Sequence, residues 1–156
     1  MPPYLPKLVA GAVLVIMAVP ASWALVMTIQ NSQELSFGSF VAGSGGTVTI
    51  STSGARSATG GVLLIPSSAG AAAQFTVAGD ANATYTIQLP GNDFVKLAGP
   101  GVDMTINDFT SSPSGTGGQL DAGGSQTLSI GGTLFISGDQ APGDYSGTFS
   151  VTVDYN

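Results

Sequence analysis

The end of the sequence alternates between apolar and polar positions over residues 145–155. Apart from Gly147, the first set is Tyr145, Phe149, Val151, Val153 and Tyr155. Ser, Thr and Asp fill the positions between them. Because successive side chains of a strand point to opposite faces, this period of two predicts a half-buried strand over 145–155. An alternating strand in this place is also a candidate for pairing with a second chain.

Shorter alternating runs, separated by Gly, Ser, Pro and Asn, predict eight more strands and no amphipathic helix of useful length. The predicted strands are 26–29, 35–40, 47–51, 61–66, 74–78, 84–89, 102–109 and 126–137. Residues 79–82 are predicted to form a hairpin loop, and Gly131-Gly132 a bulge or a bend between sheets. Nine short strands with frequent turns predict an all-β fold, a single antiparallel immunoglobulin-like β-sandwich.

The first 24 residues have the pattern of a secretory signal peptide. Lys7 supplies a positive charge, residues 8–19 are apolar, and Ser22-Trp23-Ala24 is a small-x-small cleavage site. A retained membrane anchor is the alternative, but about twelve apolar residues are short for a span that needs roughly twenty. We therefore expect an exported domain over residues 25–156, with no membrane association after cleavage.

The charge of the chain excludes some classes of partner. Three basic residues stand against nine acidic ones, which gives a net charge of −6. Nucleic-acid binding requires clustered Lys and Arg, so no nucleic-acid partner is expected. The chain has no Cys, so disulfides do not stabilise it, and a domain of this length can bury a sufficient core without them.

The inventory of side chains argues against catalysis. The sequence has no His and no Cys, and Lys96 is its only Lys outside the first 24 residues. We predict that the protein is not an enzyme and holds no cofactor. Asp139 and Asp144 flank a loop and could ligate calcium, but the favoured interpretation is two solvated turn carboxylates. Arg56 is interpreted as a surface loop charge rather than a ligand contact, and Tyr145 as a tyrosine-corner residue.

Two sets of motifs carry a resemblance to known families. Gly143, fourteenth from the end, and the penultimate Tyr155 resemble the C-terminal motif of pilin subunits assembled by the chaperone–usher pathway. The sequences LSFG at 35–38, ARSATGGV at 55–62, SPSG at 112–115 and GDYSGTFSVTVDYN at 143–156 are similar to the bacterial domain-of-unknown-function family 4402. This second likeness covers nearly all of residues 25–156.

The pilin resemblance implies donor-strand complementation, in which a sandwich with an incomplete final strand accepts one from a partner. It implies a non-catalytic structural subunit of a surface fibre, with a periplasmic chaperone, an usher and other fibre subunits as partners. The protein would pass through the periplasm to the cell surface. The implied partner-strand interface is Gly143, Tyr145, Phe149, Val151, Val153 and Tyr155.

A subunit that donates a strand needs an alternating extension ahead of its first strand. Leu25, Met27 and Ile29 are the candidate donor segment, but they are few and look necessary for the first strand itself. We therefore expect a terminal, minor or non-polymerising subunit. The alternative function is a stand-alone exported binding module for a carbohydrate or a surface partner. Such a module should expose aromatic side chains, whereas the Phe and Tyr residues mostly fit inward positions.

Overall fold

The structure is a computed structural model that describes residues 5–6, 26–114 and 117–156, with the backbone alone at residues 5–6. The predicted signal peptide and its cleavage site therefore lie outside the described residues, except for positions 5–6. Strands and turns make up the described part of the chain, which contains no helix, so the predicted all-β class is confirmed. No helix in this part is long and apolar enough to cross a membrane.

The described residues form fourteen strands. They are β1 (Leu5–Pro6), β2 (Thr28–Gln33), β3 (Phe40–Val41), β4 (Gly46–Ile50), β5 (Arg56–Gly60), β6 (Leu63–Leu64), β7 (Ala73–Ala78), β8 (Thr84–Gln88), β9 (Val95–Leu97), β10 (Met104–Ser112), β11 (Gly118–Gln119), β12 (Ser125–Ile136), β13 (Asp144–Tyr145) and β14 (Thr152–Tyr155).

Two antiparallel sheets contain most of these strands, while β3 pairs with β6 and β1 with β13 outside them. The larger sheet has the order β2-β7-β12-β10-β9, with β4 added beside β12 and β5 beside β4. The smaller sheet has the order β11-β8-β14. Apolar side chains from both sheets, including Phe75 of β7 and Ile87 of β8, belong to one buried cluster. The predicted antiparallel β-sandwich is therefore confirmed.

Strand β12 is the centre of the larger sheet and changes partner along its length. Its first half pairs with β7 as far as Ile130, and its second half pairs with β4 from Gly132 onward. At the junction, a Cβ on Gly131 would overlap the carbonyl oxygen of Ile50. Glycine therefore permits the close approach of two backbones at the change of partner. The register irregularity lies on the neighbouring strand β10, between Asn107 and Thr110.

The hairpin predicted at residues 79–82 is wrong. β7 lies in the larger sheet and β8 in the smaller one, so the connection crosses from one sheet to the other. Its backbone bonds to the 121–124 turn instead of closing a hairpin: the Gly79 N–H donates to the Gly124 carbonyl, and the Asn82 N–H donates to the Asp121 carbonyl. Alternation predicted both strands, but it carries no information on which sheet each one joins.

The predicted loop around Arg56 is also wrong. Arg56–Gly60 is strand β5, an edge strand that pairs with β4 over its whole length. Its side chains are mostly small and polar, and the Thr59 hydroxyl lies 2.6 Å from that of Thr47 on β4. This segment has no apolar alternation, so its pairing with β4 rather than its own pattern makes it a strand.

Candidate functional site

The C-terminal ribbon, which we define as residues 144–155, enters the sandwich at Tyr145. This side chain is fully buried, and its hydroxyl donates to the Ala141 carbonyl at 2.8 Å and accepts from the Gly101 N–H at 2.9 Å. A tyrosine that bonds back to the backbone four residues upstream has the geometry predicted for Tyr145. Just before it, Gly143 has a φ of 143° and faces Pro100, so a side chain there would be strained.

The next apolar residues of the ribbon pack into the core. Phe149, Val151 and Val153 are buried, while the residues between them are exposed or half-buried. The Phe149 ring centroid lies 6.4 Å from that of Phe75 in an edge-on arrangement and 5.1 Å from that of Phe109. Burial along the ribbon therefore alternates with the predicted period of two.

Tyr155 lies at the far end of the ribbon, half-buried beside Gly79. Its hydroxyl accepts a hydrogen bond from the Asp80 N–H at 2.9 Å. Opposite Tyr155 in the ladder is Tyr85, whose hydroxyl donates to Gln126 Oε1 at 2.6 Å. Burial raises the pKa of Tyr85 above its ordinary value, because a phenolate would lose solvation there.

Side-chain burial in the predicted ribbon follows the pattern of one continuous strand, whereas backbone pairing divides the ribbon into two segments. Ser146 exchanges both backbone bonds with Ala98, and β14 pairs with β8 from Thr152↔Gln88 onward. Between these two anchors, residues 147–151 make no backbone–backbone hydrogen bond within the described part of the chain. The cause is a difference in length. Six residue steps separate Ser146 from Thr152, whereas ten separate Gln88 from Ala98, so residues 89–94 loop outward.

The ribbon has two edges, and the backbone N–H and C=O groups of successive residues point to opposite edges. Because the Asn156 N–H bonds to the Thr84 carbonyl, the even-numbered residues of β14 form the hydrogen-bonded pairs with β8. Their side, facing β8 and β9, is the inner edge. The odd-numbered residues point their N–H and C=O groups the other way. We call this the outer edge and define it by Gly147, Phe149, Val151 and Val153.

Strand β1 lies beside the entrance of the ribbon. Leu5 pairs with Asp144 and Pro6 with Tyr145, in parallel orientation. For Gly147, Phe149, Val151 and Val153, the described part of the chain contains no strand paired with the outer edge. The outer edge thus carries a row of backbone donors and acceptors on residues whose apolar side chains, Gly147 apart, are buried.

The candidate donor segment lies within the domain's own core where it is described. Met27 is 4% exposed, and Ile29 is 3% exposed in β2, where it pairs with Val77 of β7. Leu25 lies outside the described residues. In this arrangement Met27 and Ile29 contribute to their own sandwich.

A groove opens at the inner edge, where residues 89–94 loop away from the ribbon. Its volume is about 480 Å³, and its lining includes Gln88, Pro90, Phe94, Thr148 and Ser150. Phe94 is 84% exposed, which departs from the expectation that aromatic side chains mostly point inward. The sequence holds a signal for this: Val95 and Leu97 are apolar residues on either side of Lys96, so a period of two assigns Phe94 to the outward positions.

Arg56 has a structural role. Its guanidinium donates to the backbone carbonyls of Phe37, Ser39 and Ile65 at 3.0, 3.1 and 2.8 Å. Partial burial lowers its pKa from the ordinary value. The interpretation as a solvated loop charge is therefore wrong, because Arg56 joins the 37–39 segment to residue 65. The stem of Arg56 also lies close to Gly70.

The remaining charged candidates do not converge on a site. Asp139 and Asp144 are both exposed. In the described ranges, no group of three or more His, Cys, Asp or Glu residues is arranged to hold a metal ion.

Comparison with known proteins gives one match. A family described as a domain of unknown function, DUF4402, matches residues 27–155. The chain belongs to the DUF4402 family. The matched region of this DUF4402 domain includes both main sheets and the whole C-terminal ribbon. No curated protein and no solved structure matches the chain.

Proposed function

We propose that this protein is a non-catalytic structural subunit of a bacterial surface fibre, assembled when a β segment from another protein is added to the outer edge. The observation that carries this proposal concerns the outer-edge residues Phe149, Val151 and Val153. Their side chains are buried, and no strand among the described residues pairs with their backbone on that edge. An unpaired edge beside apolar side chains is the geometry that strand addition uses, as in chaperone–pilin complexes.

The order of the strands supports an immunoglobulin-like assignment in which the described residues supply no final strand. Constant-type immunoglobulin domains have sheets A-B-E-D and C-F-G. Here β2-β7-β12-β10 follows the order A-B-E-D, and β8-β14 follows C-F. Strand G would lie on the outer edge, where the described residues supply none for β14. The hydroxyl bond from Tyr145 to Ala141, at the start of the ribbon, fits the tyrosine corner of strand F.

Strand β1 gives further support. Leu5–Pro6 belongs to the predicted signal peptide, yet it pairs with β13 from outside the two main sheets. The entrance of the ribbon therefore accommodates a strand in addition to those of the two main sheets.

The energy available to such a complex is large. A donor strand that buries about four apolar side chains at roughly 1.5–3 kcal/mol each would contribute about 6–12 kcal/mol before ordering costs. This is similar to the net stability of a whole domain, about 5–15 kcal/mol. We propose that a periplasmic chaperone covers the edge in transit, and that an usher then passes the subunit to its neighbour at the cell surface.

The position of Met27 and Ile29 favours a terminal or minor subunit. Both side chains are buried in their own domain, so this segment offers no spare alternating residues to a neighbour. The donated strand would then come from another protein.

The test is purification from the periplasm and from the surface fraction of cells that make the protein. We expect a chaperone to co-purify, together with multimers that survive detergent unless heated. Val151→Pro removes an outer-edge N–H together with a buried side chain, whereas Ser150→Pro removes an inner-edge N–H at an exposed position and is the control. Multimers are compared only between variants whose circular dichroism matches that of the unaltered protein. Multimers should be lost in the first variant alone. A heat-resistant monomer with no partner, or equal multimers in both variants, would refute strand addition at this edge.

A second candidate function is a stand-alone exported binding module for a carbohydrate or a surface partner. The exposed ring of Phe94 beside the groove favours it. A module of this kind would stay monomeric when its ligand is bound, which separates it from a fibre subunit.

A further inference from the structure

We propose that the groove at the inner edge binds a neutral carbohydrate. This site lies at the inner edge of the ribbon and differs from the outer edge in the backbone groups it uses, although the Phe149 side chain belongs to its lining as well. It would serve recognition whether the domain acts in a fibre or alone.

The groove is closed at both ends, which limits the shape of its ligand. Ser146 pairs with Ala98 at one end, and Thr152 pairs with Gln88 at the other. The six residue steps between Ser146 and Thr152 span about 20 Å at 3.3 Å per residue. A β strand running along the inner edge would collide with both pairs, so the groove fits a compact ligand of a few rings.

Phe94 supplies an apolar surface at the rim of the groove. Its side chain is 84% exposed, and a Cβ on Gly91 would lie 3.4 Å from Cδ2 of the ring. The face of an aromatic ring carries partial negative charge, and the C–H-rich face of a sugar ring packs on it. Ligand sites commonly combine such a surface with a few polar groups.

The loop that carries Phe94 is held by two reciprocal Asn–Asp pairs. The Asp93 N–H donates to Asn107 Oδ1 at 2.8 Å, and the Asp108 N–H donates to Asn92 Oδ1 at 2.9 Å. The amide groups of Asn107 and Asn92 donate in turn to the carboxylates of Asp93 and Asp108, at 3.3 and 3.4 Å. The exposed ring is therefore presented by a preorganised loop, which lowers the entropy cost of binding.

The polar groups of the groove suit hydroxyl ligands. Thr148 and Ser150 are exposed, and their backbone groups face the inner edge without a backbone partner in the described part of the chain. Gln88 and Thr152 add polar side chains to the lining. N–H, C=O, amide and hydroxyl groups can each bond to a sugar hydroxyl.

The lining also indicates the charge of the ligand. No Asp, Glu, Lys or Arg is among the described residues that line the groove. A charged sugar would find no side chain of opposite charge in this lining. A neutral saccharide is the chemistry that fits.

The test is a titration of the ¹⁵N-labelled protein with neutral di- and trisaccharides of glucose, galactose, mannose and N-acetylglucosamine. Concentrations reach about 10 mM, so that millimolar dissociation constants are detected. We expect at least one saccharide to shift the amide signals of Thr148, Ser150 and Gly91. Phe94→Ala should weaken its binding about tenfold or more. The matched control is Leu63→Ala, since Leu63 is 66% exposed but lies outside the groove lining.

Four outcomes would overturn the proposal. They are the absence of shifts with every saccharide, shifts that map away from the groove, equal weakening by Phe94→Ala and Leu63→Ala, and tighter binding of a sialylated or sulfated saccharide. An extended peptide that displaces the saccharide from the same amides would assign the groove to peptides instead. None of these outcomes depends on whether multimers form through the outer edge.

Discussion

Phe149 joins the C-terminal ribbon to the core, so its truncation measures how firmly the ribbon belongs to the domain. The side chain is 3% exposed and contacts the rings of Phe75 and Phe109. Replacing a buried Phe by Ala removes the buried ring and leaves a cavity, at a cost of about 3–5 kcal/mol. For a domain of this size, 1 kcal/mol corresponds to about 2–4 °C. We therefore expect Phe149→Ala to lower the melting temperature by about 6–20 °C.

The assay is urea unfolding and thermal melting followed by far-ultraviolet circular dichroism. Phe94→Ala is the matched control, because it makes the same chemical change at an 84% exposed position. We expect that control to change the free energy of unfolding by no more than about 0.5 kcal/mol. The slope of unfolding free energy against urea should be the same in both variants. If Phe149→Ala is no more destabilising than Phe94→Ala, the ribbon is not packed in the core in solution.

Three further predictions follow from the backbone and from Arg56. In hydrogen exchange, we expect slow amides at Thr152 and Asp154, which pair with β8, and fast amides along the outer edge until a donor strand is added; protection without this alternation would contradict the edge assignment. Arg56→Lys should lower the free energy of unfolding by about 1–3 kcal/mol, because one ammonium cannot replace the guanidinium at three carbonyls; an unchanged urea midpoint would contradict this. Gly131→Ala should cost about 1–3 kcal/mol through overlap with the facing carbonyl, whereas Gly117→Ala meets nothing within 4 Å and should be neutral by the same measurement; similar losses in both variants would disprove the close approach.

The sequence predicted the all-β class and most strands because burial in this protein follows a period of two. Ile87 of β8 and the ribbon residues Phe149, Val151 and Val153 occupy the buried positions that alternation assigned to them. Strand β5 escaped prediction because Ala58 is its only apolar residue, and pairing with β4 makes it a strand. Tertiary contacts decided this element, and they are not visible in the local pattern.

The candidate site could be predicted only in part, for a related reason. Alternation identified the buried face of the ribbon, but the interruption of its ladder at residues 147–151 comes from the longer segment opposite it. A difference in length between two paired segments is a property of the fold and cannot be seen in either segment alone. Phe94 was missed because it follows the turn-forming residues Asn92 and Asp93, although its place directly before the inward position of Val95 indicated exposure.

The change of partner along β12 has a consequence for the fidelity of folding. A slip of one residue in a strand turns every side chain to the opposite face of its sheet. The alignment of β12 is fixed by β7 before Gly131, by β4 after it, and by β10 along the other side. A misaligned β12 would have to satisfy three independent neighbours at once. Pairing with three neighbours therefore disfavours any shifted alignment of the longest strand in the larger sheet.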